Sequence, residues 1–523
     1  MSVTRTIAKN TLFGFVENGV DLITAFILGI VLARTLGVEK YGLYAYLIWL
    51  LSLAAIIVDL GLSEMVKRFI AEALGRGNRR QAVDLVRLTL VLRCAAAIII
   101  GLGLALFYIY WPGMTGHANS PIFFIIIGLT IIPYGLHYAF ISIFRGFQKY
   151  EYAAYVMLGT APLRLILTSV LLITGSGLKE VLIVQIGTFG LGMIIGIYFL
   201  RRLIPLKELL IPSFPDPVLR KEALRYAMTL LGTAIIGYLA SNQLSTFFIE
   251  SYCPVDQVGF FRLASRLSSM PMAILTTAFS FVLTPAIAEQ FGKGDTGKIK
   301  MIYVTSVRYL LMVGLPVQVG MMVLAGPMIK VLYGMNYASA VLLLQIMLIP
   351  AAIYPISQAA CAVIYGTNRP GFIFKTSILF ALIGIGLSLW LIPRYGAVGA
   401  AIVNSIPLGA IILSWYATKR AQVTWPVMDT VKTALASLIM GLAIFALQSR
   451  VGIILSLALG IPLGVAIYIA LIFVFRAVHE EDMVILKNMQ KSLPLPLRKP
   501  YIRFSGLVEK FIGKDKAHYW GTG

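Results

Sequence analysis

Long apolar runs, separated by short polar or basic stretches, recur along the whole chain. An α-helix needs about 20 apolar residues to cross a bilayer core about 30 Å thick. A segment in lipid must satisfy its own backbone polar groups, so each run predicts a transmembrane helix. The alternating pattern of a membrane β-barrel is absent. We predict about fourteen spans, at 11–33, 42–63, 83–108, 121–144, 155–174, 181–200, 223–248, 259–285, 302–325, 338–364, 373–392, 397–417, 431–448 and 452–475.

The apolar pattern contains an internal repeat. Gly42 is followed by Ile70-Ala71-Glu72, and the same residues recur 217 positions later as Gly259 and Ile287-Ala288-Glu289. Further matched pairs are Gly75 and Gly292, Gly77 and Gly294, Gly146 and Gly366, and Gly177 and Gly396. Two copies saturated with predicted spans are typical of two-lobed membrane transporters. The first copy covers spans one to six, the second covers spans seven to twelve, and the last two spans lie outside the repeat.

Basic residues are distributed unevenly among the loops. Because six is an even number, both copies enter the membrane from the same side, as parallel repeats related by an axis along the membrane normal. Loops that follow even-numbered spans are the more basic, and positively charged loops remain cytoplasmic. We therefore predict a multi-pass protein of the cytoplasmic (plasma or inner) membrane with both termini inside. These basic residues include Arg76, Arg79, Arg80, Arg201, Arg202, Lys207, Lys293, Lys298 and Lys300.

The predicted architecture is an all-α integral membrane protein in five parts. Residues 1–205 form a first six-helix lobe, and residues 223–420 form a second lobe related to it by pseudo-two-fold symmetry. A cytoplasmic linker at 206–222 joins them. Residues 421–476 add a C-terminal helix pair. The basic tail at 477–523 predicts amphipathic segments on the cytoplasmic leaflet, with a disordered tail as the alternative.

Composition narrows the classes of function. Hydrophobic residues make up 59% of the 523 residues and charged residues only 13%, against about 25% charged in soluble domains. The net charge of +22 fits the loop asymmetry and contacts with anionic membrane lipids, so no nucleic-acid partner is expected. Three scattered cysteines and four histidines show no metal-ligand spacing, and no cofactor is expected. The stretch Gly292–Ile299 lacks the Ser or Thr of a phosphate-binding loop and follows a span, so it predicts a basic loop.

Several motifs carry a resemblance to a known family. They are Leu32–Gly37 with Tyr41-Gly42, Asp59–Ser63, Arg145-Gly146 at the end of the fourth span, and Tyr395–Ala401 at the start of the twelfth. In order, spacing and duplication they resemble the polysaccharide (Wzx-type) flippases of the multidrug/oligosaccharidyl-lipid/polysaccharide exporter superfamily. The resemblance implies a transporter, not an enzyme, that moves an oligosaccharide on a polyprenyl pyrophosphate by alternating access around a cationic cavity. The segment Ala264–Pro271 also resembles the lipid II flippases, which implies that Arg266 faces this cavity.

Two arginines in the eighth span are the leading candidates for substrate binding. Arg262 and Arg266 lie four residues apart, so they share one helix face. Guanidinium groups match phosphate oxygens through paired hydrogen bonds, and a pyrophosphate headgroup is the anion expected here. In the alternative interpretation, both arginines lie near the membrane surface and extend their charge into it.

Charged residues elsewhere at membrane depth also have two interpretations. Arg164 in the fifth span either faces the cavity or pairs with Asp21 or Asp59. Glu17 and Asp21, one helical turn apart in the first span, either bind a coupling cation or proton or act as counter-charges to arginines. Asp59 shares that assignment, and its expected partner is Lys67 or Arg68. Arg93 is expected to extend to the cytoplasmic surface.

Uncharged polar residues at membrane depth form a third group of candidates. Asn242, Gln243 and Gln358 either bind sugar hydroxyls or hydrogen-bond to neighbouring helices. The same alternatives apply to His137 and Tyr134.

Two rival functions remain beside the flippase. A cation-coupled antiporter for drugs or metabolites in the same superfamily would favour an acidic cavity, whereas arginines are at least as prominent here. A membrane polysaccharide polymerase or ligase would need an external loop with catalytic polar groups, and the predicted external loops are short. As partners we expect a lipid-linked oligosaccharide, membrane lipids, and a glycan polymerase or glycosyltransferases of the same pathway, with the chain acting as a monomer.

Overall fold

The computed structural model describes residues 3–110, 121–210, 215–239, 243–350, 353–367, 369–421 and 426–478. Every regular element in these ranges is helical, which confirms the all-α prediction. Asn242 and the tail beyond residue 478 lie outside them. The helices are α1 (Val3–Asp59), α2 (Leu62–Gly75), α3 (Arg79–Tyr110), α4 (Pro121–Gly146), α5 (Tyr150–Ile173), α6 (Leu178–Leu203), α7 (Leu206–Leu210), α8 (Pro217–Leu239), α9 (Gln243–Tyr252), α10 (Val255–Gly292), α11 (Thr296–Tyr333), a short 3-10 helix (Met335–Tyr337), α12 (Ala340–Leu348), α13 (Ile353–Gly366), α14 (Pro370–Asn404), α15 (Leu408–Ala421), α16 (Val427–Gln448) and α17 (Ile453–Val474).

The helices are long enough to cross a membrane, and some contain more than one crossing. Nine stretches within the described ranges qualify by length and hydropathy, or ten if the bent pair α8 and α9 forms one span. Leu12–Gly75 has 64 residues and Gly371–Arg420 has 50, more than twice the length of about 20 that one crossing needs. They contain breaks at Gly37 and Gly396, between the predicted spans one and two and the predicted spans eleven and twelve. The total of fourteen spans stays a prediction.

The second predicted span is interrupted near its end. α1 ends at Asp59, and the next two residues, Leu60 (φ 50°) and Gly61 (φ 70°), turn the chain before α2 begins. A Cβ atom at position 61 would lie 2.1 Å from the carbonyl oxygen of Ala227 in α8. Glycine is therefore required there both by the left-handed backbone and by the approach of α8.

The repeated glycines Gly77 and Gly294 end equivalent helices. Both have positive φ angles, 73° and 70°, as is common just after a helix C-terminus. The next residues, Asn78 and Asp295, each accept a hydrogen bond on the side chain from the backbone N–H three positions later. They are thus the N-caps of α3 and α11. Gly292–Ile299 accordingly forms a turn between two helices and has no phosphate-binding-loop architecture.

A second repeated contact explains the Ile-Ala-Glu motif. In the first copy, a Cβ on Gly146 would lie 3.1 Å from Cβ of Ile70 and 3.0 Å from the carbonyl oxygen of Val66. In the second copy, a Cβ on Gly366 would lie 2.6 Å from Cγ2 of Ile287. The repeated isoleucine therefore packs on the repeated glycine in each copy. Such close packing holds helices together in lipid, where burial from water supplies no driving force.

The chain divides into two compact units. The first contains the described residues up to Leu263 together with Leu332–Ser339 and Ser377–Asn404. Its core includes Leu62, Phe69, Phe144, Ala153 and Ala227. The second contains Ala264–Val331, Ala340–Thr376 and the described residues from Ser405 onward. Its cores include Ile287, Tyr303, Val363 and Ala417, and, where α16 and α17 meet α11, Leu324, Met440 and Ile444. The lobe, linker and tail boundaries inferred from the sequence stay predictions.

Substitution of Gly146 tests the repeated glycine contact. We expect Gly146→Val to destabilise the protein by about 1 to 3 kcal/mol, because added atoms would overpack the contact with Ile70. Thermal unfolding in detergent, followed by size-exclusion chromatography of the heated samples, measures the effect. Gly103→Val is the control, since nothing lies within 4 Å of a Cβ there. Equal midpoints for the two variants would contradict the packing argument.

Candidate functional site

Three acidic residues of α1 each pair with an arginine from another helix of the first unit. Glu17 pairs with Arg145 of α4 at 2.8 Å, and Asp21 pairs with Arg164 of α5 at 3.7 Å. The third acid, Asp59, pairs with an arginine of α3. These are the three acids that the sequence assigned to ion coupling or counter-charge. Each acid therefore lies beside an arginine, as the counter-charge alternative predicts.

The Glu17–Arg145 pair is the more enclosed of the first two. The Glu17 side chain is 2% exposed and that of Arg145 is 24% exposed. Because a lone carboxylate at membrane depth is costly, the ion pair accounts for an acid in this position. Arg145 belongs to the Arg-Gly motif that ends the fourth span, and the sequence analysis did not identify it as the partner of Glu17. Its position at a helix end, after an apolar run, was the available signal.

Arg164 lies between an acid and an aromatic cluster. Its guanidinium group is 5.4 Å from the ring centre of Phe189, a distance that allows cation–π attraction. Tyr134 packs against Phe189 with 4.9 Å between ring centres. The Arg164 side chain is 16% exposed and that of Asp21 is 41% exposed, so this pair is the more open one. Of the two alternatives predicted for Arg164, the structure shows the pairing with Asp21.

His137 is a packed residue in α4. It is 1% exposed and contacts Phe189 and Tyr138 edge to face. A Cβ on Gly192 of α6 would lie 2.0 Å from its Nδ1 atom, so the ring fills the space that this glycine leaves. The structure thus shows His137 in packing contacts with α6 and with neighbouring rings, and both predicted alternatives, a sugar contact and an interhelical hydrogen bond, stay predictions.

The predicted partners of Asp59 were wrong. Asp59 pairs with Arg93, which also donates hydrogen bonds to the hydroxyl of Ser63 and to the Gly135 carbonyl oxygen. Ser63 itself donates to Asp59 at 2.6 Å. The turn after Asp59 explains the difference, because it places Ser63 beside the acid and directs both toward α3.

The two expected partners of Asp59 have other contacts. Lys67 pairs with Glu64 on the same helix. The Arg68 guanidinium group lies 4.7 Å from the ring centre of Tyr226. Arg93 was also expected to extend to the cytoplasmic surface. This prediction was wrong too, since the Arg93 side chain is 2% exposed and contacts residues of α1, α2 and α4. Sequence spacing favoured neighbours in the chain, whereas the partner came from α3.

Arg262 lies next to the bend in the seventh predicted span. Its Nη1 atom donates a hydrogen bond to Oε1 of Gln243, the first residue of α9, at 2.8 Å. The axes of α8 and α9 differ by 52°. Broken helices in transporters place backbone polar groups and side chains at substrate sites. The structure thus brings together two of the predicted site residues.

The remaining candidates are not joined to this pair by the structure. Arg266 lies one turn further along α10 and is partly buried, and no described side chain forms a hydrogen bond or ion pair with its guanidinium group. Gln358 is exposed on α13, in the second unit. Asn242 lies outside the described residues.

Removal of Arg93 tests its role as a brace between helices. We expect Arg93→Met to destabilise the protein by about 1.5 to 3 kcal/mol, because Asp59, Ser63 and the Gly135 carbonyl group would lose a charged hydrogen-bond partner. Arg76→Met is the control, since its pair with Glu72 is exposed and such pairs contribute little. Thermal unfolding midpoints in detergent decide the matter. A loss no greater than that of the control would refute the brace.

Comparison with known proteins places this geometry in a family. The probable low-salt glycan biosynthesis flippase Agl15 of Haloferax volcanii is 20% identical over 472 residues, which cover 88% of this chain and 94% of that protein. A solved structure of the lipid II flippase MurJ, in an inward closed conformation, aligns with a TM-score of 0.69 and 16% identity over 90% of this chain and 98% of MurJ. An inward-facing multidrug resistance transporter of the MATE family aligns with a TM-score of 0.64 and 16% identity, over 78% of this chain and 98% of its own.

These two structures show that the chain has the fold common to MurJ and MATE transporters. The family profile described as polysaccharide biosynthesis protein matches residues 7–291, which is more than half of the sequence. The resemblance found in the sequence motifs is confirmed. The chain belongs to the polysaccharide biosynthesis protein family.

Proposed function

We propose that this protein is a flippase that moves a lipid-linked oligosaccharide across the cytoplasmic membrane by alternating access, in the synthesis of a cell-surface glycan. One observation carries the proposal: a chain of membrane-spanning helices in a polysaccharide biosynthesis family is similar over nearly its full length to a glycan biosynthesis flippase. The same observation favours a transporter over an enzyme. In this proposal the lipid is a polyprenyl pyrophosphate, so the headgroup to be moved is anionic.

Arg262 and Arg266 are the proposed anchors of the pyrophosphate. They lie one turn apart on α10, and Nη1 of Arg262 donates a hydrogen bond to the amide oxygen of Gln243, another candidate for substrate contact. Hydrogen bonds between a guanidinium group and phosphate oxygens are charge-assisted and directional. The arginine at position 164 would serve as a weaker third anchor, because Asp21 already balances its charge.

Three amide side chains complete the proposed substrate site. Gln243, Gln358 and Asn242 would bind sugar hydroxyls, for which an amide offers both donors and an acceptor. The hydrogen bond between Gln243 and Arg262 would be exchanged for one to the substrate when the headgroup enters.

Glu17, Asp21 and Asp59 act in this proposal as counter-charges rather than as a coupling site. Each is paired with an arginine from a different helix. Their function would be to keep arginines in the membrane and to fix the positions of α3, α4 and α5 around α1. A cation or proton coupling role requires in addition that one of these pairs opens during transport.

The proposal includes an orientation and an assembly. Basic loops after even-numbered spans favour an orientation with both termini in the cytoplasm, and the proposed membrane is the cytoplasmic one. The protein acts as a monomer. A glycan polymerase and glycosyltransferases of the same pathway would consume and supply the substrate.

The second candidate function is a cation-coupled antiporter for drugs or metabolites. It is favoured by the fold, which the chain shares with a multidrug resistance transporter. The acids of α1 count against it, since a cationic drug needs acids whose charge is available, and these three are balanced by arginines.

Transport by arginine variants tests the substrate site. In proteoliposomes with a fluorescent lipid-linked oligosaccharide, we expect Arg262→Gln and Arg266→Gln each to lower the initial rate about tenfold or more, as the loss of a hydrogen bond to a charged group implies. Arg394→Gln is the control, because that residue is exposed on α14 and its guanidinium group lies over the ring of Trp390. The rate is read from the loss of fluorescence after an impermeant quencher is added.

Two outcomes of this experiment would change the interpretation. Wild-type rates in both variants would retain the flippase and refute the arginine anchors. Wild-type protein that moves no lipid-linked sugar, but exports a cationic dye, would replace the flippase with the antiporter.

Paired substitutions separate counter-charge from coupling. We expect Asp21→Asn and Arg164→Gln each to slow transport, because each leaves one charge unbalanced, and the double variant to recover most of the rate. Initial rates with and without imposed proton and sodium gradients provide the measurement. A double variant that is as slow as Asp21→Asn, and has lost a gradient dependence seen in the wild type, would assign coupling to Asp21 instead.

A further inference from the structure

Two equivalent glycines of the sequence repeat meet within the first unit. A Cβ on Gly42 of α1 would lie 2.1 Å from the carbonyl oxygen of Val255, and a Cβ on Gly259 of α10 would lie 3.0 Å from that of Val38. Val38 and Val255 are themselves equivalent, 217 positions apart. The contact is therefore reciprocal, like a contact across a two-fold axis. It brings backbone against backbone with no side chain between.

Two helix ends beside this crossing cap each other. Gly37 interrupts α1, so the carbonyl groups just before it lack helical partners, and the Tyr337 hydroxyl donates to the Ala33 carbonyl oxygen at 2.9 Å. Leu332 lies in the last turn of α11, and its carbonyl oxygen accepts a hydrogen bond from Nε of Arg34 at 2.8 Å. A positive charge at a helix C-terminus is also favourable.

Aromatic rings enclose the capping tyrosine. Tyr337 is 1% exposed, and the rings of Tyr41, Phe260 and Tyr333 lie 6.0 to 6.1 Å from it, centre to centre. Water therefore does not reach its hydroxyl in this conformation. We call the whole arrangement the glycine seam, made of residues 33–42, 255–260 and 332–337.

We infer that the glycine seam is the external gate of the transport path, with Arg34 and Tyr337 as its latch. This inference rests on the proposed flippase function and orientation, in which the seam lies at loops after odd-numbered spans. The seam joins segments from both copies of the repeat, so it must part if the copies separate on that side. The Ala33 and Leu332 carbonyl groups lie at helix ends, where water can replace the latch when the gate opens.

The seam contrasts with the paired charges of α1. Asp59 and Arg93 lie among four helices, and separating them would leave charges without partners at membrane depth. In the seam, the hydrogen bonds from Arg34 and Tyr337 end on backbone carbonyl oxygens at helix ends, which water can satisfy when the seam parts. The seam is thus better suited to open and close than the Asp59–Arg93 pair.

Thiol labelling tests the gate without any substrate. In a protein with Cys94→Ala, Cys253→Ala and Cys361→Ala, the reporter is Val255→Cys, a position 7% exposed within the seam. A membrane-impermeant maleimide added from outside should label it slowly. We expect Tyr337→Phe and Arg34→Gln each to raise that rate about fivefold, the factor expected for one lost hydrogen bond.

Matched controls remove the same chemical groups elsewhere. Tyr155→Phe on α5 and Arg450→Gln after α16 change exposed residues outside the seam and should leave the labelling rate unchanged. Variants are compared only if they elute as single species, and complete labelling after denaturation gives the reference. Equal rates in latch and control variants, or labelling only from the cytoplasmic side, would overturn the inference.

A covalent cross-link across the seam tests the gate separately from the flippase proposal. Arg34→Cys and Leu332→Cys, joined by a cleavable bismaleimide in the same background, should stop transport, and cleavage should restore it. Full transport with the seam linked would refute the gate and leave the flippase intact. Faster labelling of the latch variants, in a protein that moves no lipid-linked sugar, would support the gate while the flippase proposal fails.

Discussion

A charged side chain in the hydrocarbon core costs about 2.5 to 3.5 kcal/mol on insertion scales, and the first unit is organised by the need to balance such charges. α1 supplies three acids, and α3, α4 and α5 each supply one arginine to meet them. Each pair fixes the rotation of one helix about its own axis relative to α1, because a rotated helix would present its arginine to lipid. Apolar packing then fills the space between helices whose directions the charges have set.

The internal repeat is conserved in backbone geometry and has diverged in chemistry. Gly77 and Gly294 follow the ends of equivalent helices, and Gly146 and Gly366 each pack against the repeated isoleucine. The equivalent glycines Gly42 and Gly259 lie where their two helices cross. The acids of α1 have no acidic equivalents 217 positions later, where Ala234, Tyr238 and Thr276 stand. The two candidate anchor arginines, in turn, belong to the second copy alone. A duplicated scaffold thus carries a charge-balanced first copy and a second copy with the candidate binding residues.

Much of the fold followed from the sequence, because the signals were strong. Apolar runs predicted the helices, and the paired glycines predicted the repeat. The exact number of spans stays a prediction, although the backbone is non-helical at Gly37 and Gly396, where the pattern indicates that one span ends and the next begins. The turn at Leu60 and Gly61 was also missed, because an apolar run can include a break that only the backbone reveals.

The candidate site was less predictable for a different reason. Spacing along one helix gave Arg262 and Arg266, and it gave the acids of α1. Ion-pair partners on different helices depend on how the helices pack, and this packing cannot be read from residue spacing in one sequence. Asp59 was therefore assigned to Lys67 or Arg68, its neighbours along the chain, whereas its partner is Arg93 on α3. Gln243 and Arg262 form a hydrogen bond beside the bend between α8 and α9, and the apolar pattern did not predict this bend.

The paired charges also impose an order on the biogenesis of the protein. In each pair the acid lies in α1 and the arginine lies later in the chain, at positions 93, 145 and 164. During synthesis the acids therefore precede the arginines that balance them. Until each arginine emerges, an acid in lipid must stay hydrated or take up a proton. Completion of the pairs thus couples the stability of α1 in the membrane to the arrival of α3, α4 and α5.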